Sequence, residues 1–481
     1  MIPMTIEEIA KAISADVLNL DSNIKVTGKV VIDSRKVSKG DLFVAINGEN
    51  VDGHGFCDAA IKQGAVAVIA SKESPGVPSL LVSNGNLTSQ DVDQPTVIAL
   101  GKLANYLLTK LPNIWKVAVT GSSGKTTTKD LLSDLGKLIG PTVAPTGSFN
   151  NEIGLPQTVL ECDENTRVLI LEMGARRVGN ITKLCEIAKP DTSLLLNIGT
   201  AHAEIFTSVE KILQTKSEII QCLTSSDVAI LNHEDVTFPK QKTKAQIVSF
   251  GLDGADVSAK NVVLNDHAQA QYDLEYQGKS SQVNLKIVGS HQVSNSLAAA
   301  AAFLKKGIDI ELVAKTLSNS VAQSKWRMQI EVSKKNVTVI NDAYNANPES
   351  MNSAIRTLKQ LGEEKNTLAI LGEMRELGDL SLVKHQEVAA LIQKLNIKNT
   401  IIIGSGAKTI YDFLSSNGYK GTLKYVENVE NGIAKARELI EPNDVVLVKA
   451  SRSIGLERVA NAIVSDFSEN LTNTNNQEVG P

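Results

Sequence analysis

The segment Val117-Ala-Val-Thr-Gly-Ser-Ser-Gly-Lys-Thr-Thr-Thr128 constrains the fold more than any other stretch of the chain. An apolar strand breaks into a loop of small residues and restarts as a helix, which is the arrangement that holds a nucleotide triphosphate. Gly121 and Gly124 let the backbone turn so that successive N–H groups face inward, and the helix that follows adds its positive end to the same anion pocket. Thr120, Gly121, Ser122, Ser123, Gly124, Lys125, Thr126 and Thr127 are therefore the expected ATP contacts. Lys125 reaches for the β- and γ-phosphates, and the Thr126 hydroxyl for Mg²⁺. The full form of the pattern has glycine five residues before Gly124, where this chain has Val119, so the loop is a shortened variant.

The surrounding periodicity predicts an α/β chain of three domains. From Ile114 the pattern is strand then helix, with strands at 116–120, 167–172, 192–197 and 227–232. Val168-Leu-Ile-Leu171 and Ser193-Leu-Leu-Leu196 are continuously apolar, as strands covered on both faces must be, so a central, mostly parallel, doubly wound sheet is expected over 113–322. An α/β domain over 1–112 precedes it, with strands near 29–33, 41–46 and 65–70 and a helix near 56–63. Linkers are expected at 110–113 and 318–324, and an alanine-rich helix at 290–306. The βα alternation returns at 337–341, 367–371, 400–403 and 445–449, predicting a Rossmann-like domain over 323–467 without G-x-G-x-x-G. The polar stretch 468–481 is expected to be a disordered tail.

Composition excludes several functions. A net charge of −4 gives no general attraction to nucleic acid or to anionic membrane, so phosphate binding must be local. Cys57, Cys162, Cys185 and Cys222 are scattered without a C-x-x-C pair, which fits reduced structural thiols in a cytoplasm. Thr5 and Glu8 form a capping-box pattern where a signal peptide would have its charged and apolar regions, and no apolar run is long enough to span a bilayer.

Two further residues belong with the loop. Glu172 ends an apolar strand, where a carboxylate can meet the Mg²⁺ of a bound nucleotide, although a solvated strand-end glutamate reads the same way. His202 follows the next strand; a lone histidine is more often structural, but its place beside Glu172 draws it toward the site.

T-G-S-S-G-K-T-T at 120–127, N-N-E-I-G-L-P at 150–156, L-E-M-G-A at 171–175, N-I-G-T-A-H at 197–202 and N-D-A-Y-N-A-N-P-E-S at 341–350 together resemble the Mur ligases, ATP-dependent amide-forming enzymes of peptidoglycan precursor synthesis. The resemblance spans nearly the whole chain. Within the family it is nearest the branch that adds D-alanyl-D-alanine to UDP-N-acetylmuramoyl-tripeptide, on N-A-N-P-E-S and on the absence of D-N-P-R. It implies a first domain that binds the UDP-substrate through D-S-R, with Ser34 and Arg35 as contacts, and Asn150 and Asn151 nearer the reacting carboxylate. Each of these four reads equally as a turn or capping residue. The resemblance also implies Asn295 on adenine, Asp342 on the ribose hydroxyls, Asn345 and Asn347 framing that pocket, and Arg327 on the γ-phosphate. Lys216 aligns with a lysine carbamylated in several relatives, which with His202 would hold a second Mg²⁺. Arg375, Lys449 and Arg452 fall at the expected dipeptide end. His291-Gln292 departs from the His-Asn of many relatives.

The implied function is a cytoplasmic ligase using ATP and Mg²⁺ on small-molecule substrates, expected as a monomer with no nucleic-acid partner. A sister ligase with another acceptor, a folylpolyglutamate synthase and a P-loop regulatory or transport ATPase are the alternatives. The hundred residues before the loop weigh against the second, and nothing in the first or third domain favours the last.

Overall fold

Apolar runs bounded by turns become three main sheets in the computed structural model, which describes residues 2–48, 51–83, 94–199, 209–333 and 335–466. His202 and the 468–481 tail lie outside the described residues.

The central sheet runs, in spatial order, Lys279–Val288, Gln269–Tyr276, Val257–Leu264, Gln246–Gly251, Val228–Asn232, Thr192–Leu195, Trp115–Thr120, Val168–Glu172 and Thr142–Val143. Its core is parallel, as the buried runs predict: every residue of Val168–Glu172 and of Thr192–Leu195 is buried. The far side is antiparallel, because a two-residue turn joins Tyr276 to Lys279 through Gln277 at φ 49° and Gly278 at φ 75°. Two consecutive positive φ values match the right-handed twist of paired strands, so the hairpin closes tightly.

Helices cover both faces. Lys125–Gly136 and Gln292–Lys305 pack on one side, where Leu131, Leu135, Leu297 and the buried Ala298–Ala302 run meet Val117, Val119 and Ile170. Gly154–Val159, Asn180–Ile187 and Val209–Gln221 take the other.

The first sheet runs Asp16–Leu18, Ser79–Leu81, Ala67–Ala70, Leu42–Val44, Val30–Val31, parallel except at Asp16–Leu18. The capping box closes in both directions: Glu8 N–H donates to Thr5 Oγ1 at 3.1 Å and Thr5 N–H to Glu8 Oε2 at 2.9 Å. Its helix, Ile6–Ile13, buries Ile6, Ile9, Ala10 and Ile13.

The linker expected at 110–113 falls on the short irregular connection 111–114, and the helix Pro95–Lys110 ahead of it binds the first two regions together. It packs on Ile6–Ile13 and also on Gly154–Val159 and Asn180–Ile187. A single apolar cluster consequently runs from Ile6 and Leu42 through Leu103 to Leu169 and Leu231. The third sheet runs Gln329–Val332, Thr338–Asn341, Val445–Lys449, Thr367–Leu371, Asn399–Ile403, Thr422–Val426, parallel except at its first strand, with apolar clusters largely its own.

Candidate active site

The site lies at the carboxyl ends of the central strands, where ligands of open α/β sheets collect. Gly124 is held at φ 82°, and a Cβ on it would stand 2.3 Å from Asn295 Oδ1, so only glycine lets the loop turn there against the neighbouring helix. Asn197 clasps the loop: its Oδ1 accepts from Ser123 N–H at 3.0 Å and its amide donates to Ser123 O at 3.3 Å. Ser122 Oγ accepts from Gly199 N–H at 2.8 Å, and Thr120 Oγ1 donates to Met173 O at 2.7 Å beneath the loop.

Two lysines converge on one carbonyl. Lys125 Nζ donates to Gly121 O at 2.7 Å and Lys216 Nζ, from the helix Val209–Gln221 on the other face of the sheet, donates to the same oxygen at 3.1 Å. Desolvation pushes the Lys125 ammonium below its ordinary value, opposed by Glu172 and assisted by Arg327. Lys216, 1% exposed, is driven well below its ordinary value by burial and then by the Lys125 charge.

Glu172 is likewise 1% exposed, and each oxygen has a partner: Thr126 Oγ1 donates to Oε2 at 2.9 Å and Asn150 Nδ2 to Oε1 at 2.7 Å. A hydroxyl and an oriented carboxylate side by side at the head of a phosphate loop form the hard oxygen set that a Mg²⁺–nucleotide requires. Among the described residues no cluster of three His, Cys, Asp or Glu is present. Asn151 Oδ1 instead accepts from Gly154 N–H at 2.9 Å, capping the helix Gly154–Val159 while lining the cleft.

The third sheet closes the opposite wall of a cleft of about 830 Å³. Arg327 reaches back across it: its Nη2 donates to Ser148 Oγ at 2.9 Å and its guanidinium lies 4.1 Å from the Tyr344 ring centre. The residues either side of it, Trp326 at φ 59° and Met328 at φ 51°, occupy the left-handed region. Strain of this kind persists only where surrounding bonds over-determine it. Here Tyr344 N–H donates to Trp326 O at 3.1 Å, and Met328 N–H to Asp342 Oδ1 at 2.9 Å.

Asn347 caps the helix Pro348–Leu361 and extends its amide to Ser122 O at 3.3 Å, tying this wall to the phosphate loop. Asn295 donates to Gln292 Oε1 at 2.8 Å, and both line the cleft with Asp342 and Asn345. Gln292 in turn donates toward His291 Nε2 at 3.0 Å. Burial pushes His291 down to about 4, with Asp342 opposing and Lys449 assisting.

The fold thus gathers Ser122 to Thr127, Asn150, Asn151, Glu172, Lys216, Asn295, Arg327, Asp342, Asn345, Asn347 and Lys449 on one cleft. Among the described residues, Ser34, Arg35, Arg375 and Arg452 do not line it. Ser34 and Arg35 sit in a turn capped by Asp33, with Arg35 paired to Asp33 at 2.9 Å. Arg375 pairs with Glu373 at 3.2 Å, while Arg452 lies 4.2 Å from the Trp326 ring centre and pairs with Glu457 at 2.8 Å. Ser148, Arg176, Arg177, His291 and Tyr344 line the cleft without having been assigned a role from sequence. Their signal was adjacency: each lies inside a motif already singled out or within two residues of one.

Family models match three successive stretches of the chain. The Mur ligase middle-domain model matches residues 119–303, the Mur ligase glutamate ligase domain model 326–452, and the Mur ligase family catalytic-domain model 28–100. A UDP-N-acetylmuramoyl-tripeptide–D-alanyl-D-alanine ligase of Mycobacterium bovis is 36% identical over 97% of this chain and 98% of its own. The crystal structure of MurF from Acinetobacter baumannii superposes with a TM-score of 0.87 at 28% identity, covering 97% of this chain and 99% of that one. MurF ligase from Thermotoga maritima, solved in complex with ADP, gives 0.79 at 29% identity, covering 92% and 98%.

Proposed function

The chain belongs to the Mur ligase family, and on that premise we propose that it joins D-alanyl-D-alanine to UDP-N-acetylmuramoyl-tripeptide, with ATP converted to ADP and phosphate, in peptidoglycan precursor synthesis. One observation carries the reading: the phosphate loop, the Thr126–Glu172 pair and Arg327 converge from two walls on a single cleft.

Joining a carboxylate to an amine in water is uphill, so the carboxylate must first become an acylating agent. A donor carboxylate oxygen attacks the γ-phosphorus and ADP leaves, giving an acyl phosphate. The dipeptide amine then adds to the acyl carbon, and the tetrahedral species expels phosphate. The chain's task is to align reactants and offset charge. Lys125 meets the β- and γ-phosphates in place of Gly121 O, and Arg327, braced on Tyr344, meets the γ-phosphoryl group from the opposite wall. Thr126 and Glu172 would hold Mg²⁺, with Asn150 fixing the carboxylate. When bound, that ion would supply charge neutralisation at the phosphates. Asn295 serves adenine and Asp342 the ribose, with Asn345 and Asn347 framing the pocket. Lys216, buried and with its amine pushed down by desolvation, is suited to add CO₂ with loss of a proton; the carbamate, with His202, would be a second cation ligand. Ser34 and Arg35 serve the UDP end, Asn150 and Asn151 the reacting carboxylate, and Arg375 and Arg452 the dipeptide end.

The domains are assigned as 1–112, 113–322 and 323–467. Among the described residues no helix is long and apolar enough to cross a membrane. A monomer acting in the cytoplasm on small molecules completes the reading.

The test is phosphate release from ATP with each substrate omitted in turn. Release is expected only when UDP-N-acetylmuramoyl-tripeptide and D-alanyl-D-alanine are both present, because an acyl phosphate without its amine is shielded rather than turned over. Fast release with ATP alone would indicate an ATPase, and release with a single amino acid in place of the dipeptide would indicate a sister ligase.

A further inference from the structure

Lys449 ends the strand Val445–Lys449, and Asp342 directly follows the neighbouring parallel strand Thr338–Asn341, so the sheet register sets the two side by side at its carboxyl edge. Backbone bonds fix both residues. Asp342 N–H donates to Val448 O at 2.9 Å, and Gly372 N–H to Lys449 O at 3.0 Å.

The Lys449 ammonium is 1% exposed and faces three oxygens: Asp342 Oδ2 at 2.6 Å, Asn345 O at 2.7 Å and Asp342 O at 3.4 Å. An ammonium has three N–H donors, so none remains for a dipeptide carboxylate. Asp342 is pinned in return. Its Oδ1 takes Met328 N–H and its Oδ2 takes Lys449, which leaves one further lone-pair direction on each oxygen, on a residue that lines the cleft.

Resting on the reading that Asp342 receives the ribose hydroxyls, we propose that Lys449 is a positioning residue for nucleotide selection: it orients the Asp342 carboxylate and the Asn345 segment so that ATP is preferred over its deoxy analogues, and it does not touch the dipeptide. The physical basis is asymmetric. A carboxylate held rigidly and offered no hydroxyl is left with unmet acceptors, whereas a carboxylate free to turn finds other partners and loses its preference.

The experiment measures kcat and KM for ATP, 2′-deoxyATP and 3′-deoxyATP, with KM for D-alanyl-D-alanine, in the native enzyme, Lys449→Gln and Lys449→Arg. The native enzyme should favour ATP over at least one analogue by about tenfold in kcat/KM. Lys449→Gln, which lacks the charge, should raise KM for ATP and reduce that preference severalfold, with KM for D-alanyl-D-alanine unchanged. Should this variant fail to fold, Lys449→Arg decides. It keeps the carboxylate paired, but its planar fork does not reproduce three convergent contacts, so the preference should fall at an unchanged melting temperature.

A native enzyme indifferent to the sugar overturns the ribose reading and the inference with it. A native preference that survives in the folded variants, or a rise in KM for D-alanyl-D-alanine in place of ATP, overturns the inference alone.

Discussion

The two junctions of this molecule are built from opposite materials. Between the first sheet and the central one, Pro95–Lys110 is buried through Leu100, Leu103, Ala104 and Leu107 in an apolar cluster common to both. Gly101 brings this helix so near its neighbour that an added Cβ would stand 3.0 Å from Ile187 Cδ1. Between the central and third sheets the contacts are largely polar: Arg327 to Ser148, Asn347 to Ser122, and Ser324 Oγ to Asp130 at 2.8 Å, with Ala268 and Val288 as the apolar footing. Apolar burial contributes about 25 cal/mol per Å², whereas exchanging a polar contact for water changes little. The first junction is a weld and the second is a seam, and the proposed site lies along the seam.

The largest test crosses one substitution at each junction. Lys125→Ala should remove about 3 kcal/mol or more of transition-state stabilisation, two orders of magnitude in turnover, with the melting temperature nearly unchanged. Leu103→Ala, fully buried in the shared core, should do the reverse, costing about 2–5 kcal/mol of unfolding free energy while folded molecules keep their kcat. Steady-state kinetics and denaturant unfolding on both variants read the cross. A stable, fully active Lys125→Ala, or a Leu103→Ala as stable as the native protein, would erase the distinction.

This contrast also separates what was legible in the sequence from what was not. The phosphate loop was legible because glycines, lysine and threonine are fixed by local geometry, and Glu172 because an apolar run ends on it. Strand ends were read to within two or three residues. The weld was not legible: Pro95–Lys110 shows an apolar face in sequence, but periodicity does not say which sheets that face will meet. Nor was the pairing of Lys449 with Asp342, residues 107 positions apart that become neighbours only through parallel register. Arg375 and Arg452 pair with Glu373 and Glu457 close by in the chain, a competition that motif matching ignores.

Lys216 sharpens the seam further, since an ammonium there would repel a cation that a carbamate would bind. Lys216→Ala is expected to lose most activity and to regain part of it with added formate or acetate, whereas Lys216→Arg should not be rescued. Both are read by ADP formation. An alanine variant fully active without additives would make this lysine a buried structural group and remove the second cation from the reading.

The smallest effect concerns His291, on the cleft side of the seam. Burial holds its folded value at about 4 against an ordinary value near 6.5, so between those limits the unfolded chain binds a proton that the folded chain does not. Stability must therefore fall as pH drops from about 6.5 toward about 4, and His291 contributes nothing to pH dependence above that window. Between pH 7.5 and 5 the loss from this group should reach at most about 2 kcal/mol. Denaturant unfolding at both pH values, in the native protein and in His291→Asn, isolates it, since carboxylates titrate alike in the two. The native protein should lose more stability than the variant over that interval. Equal losses would mean that the imidazole accepts its proton within the folded cleft, with Asp342 as the nearby charge able to stabilise it, and the nucleoside wall would then be wetter than its burial implies.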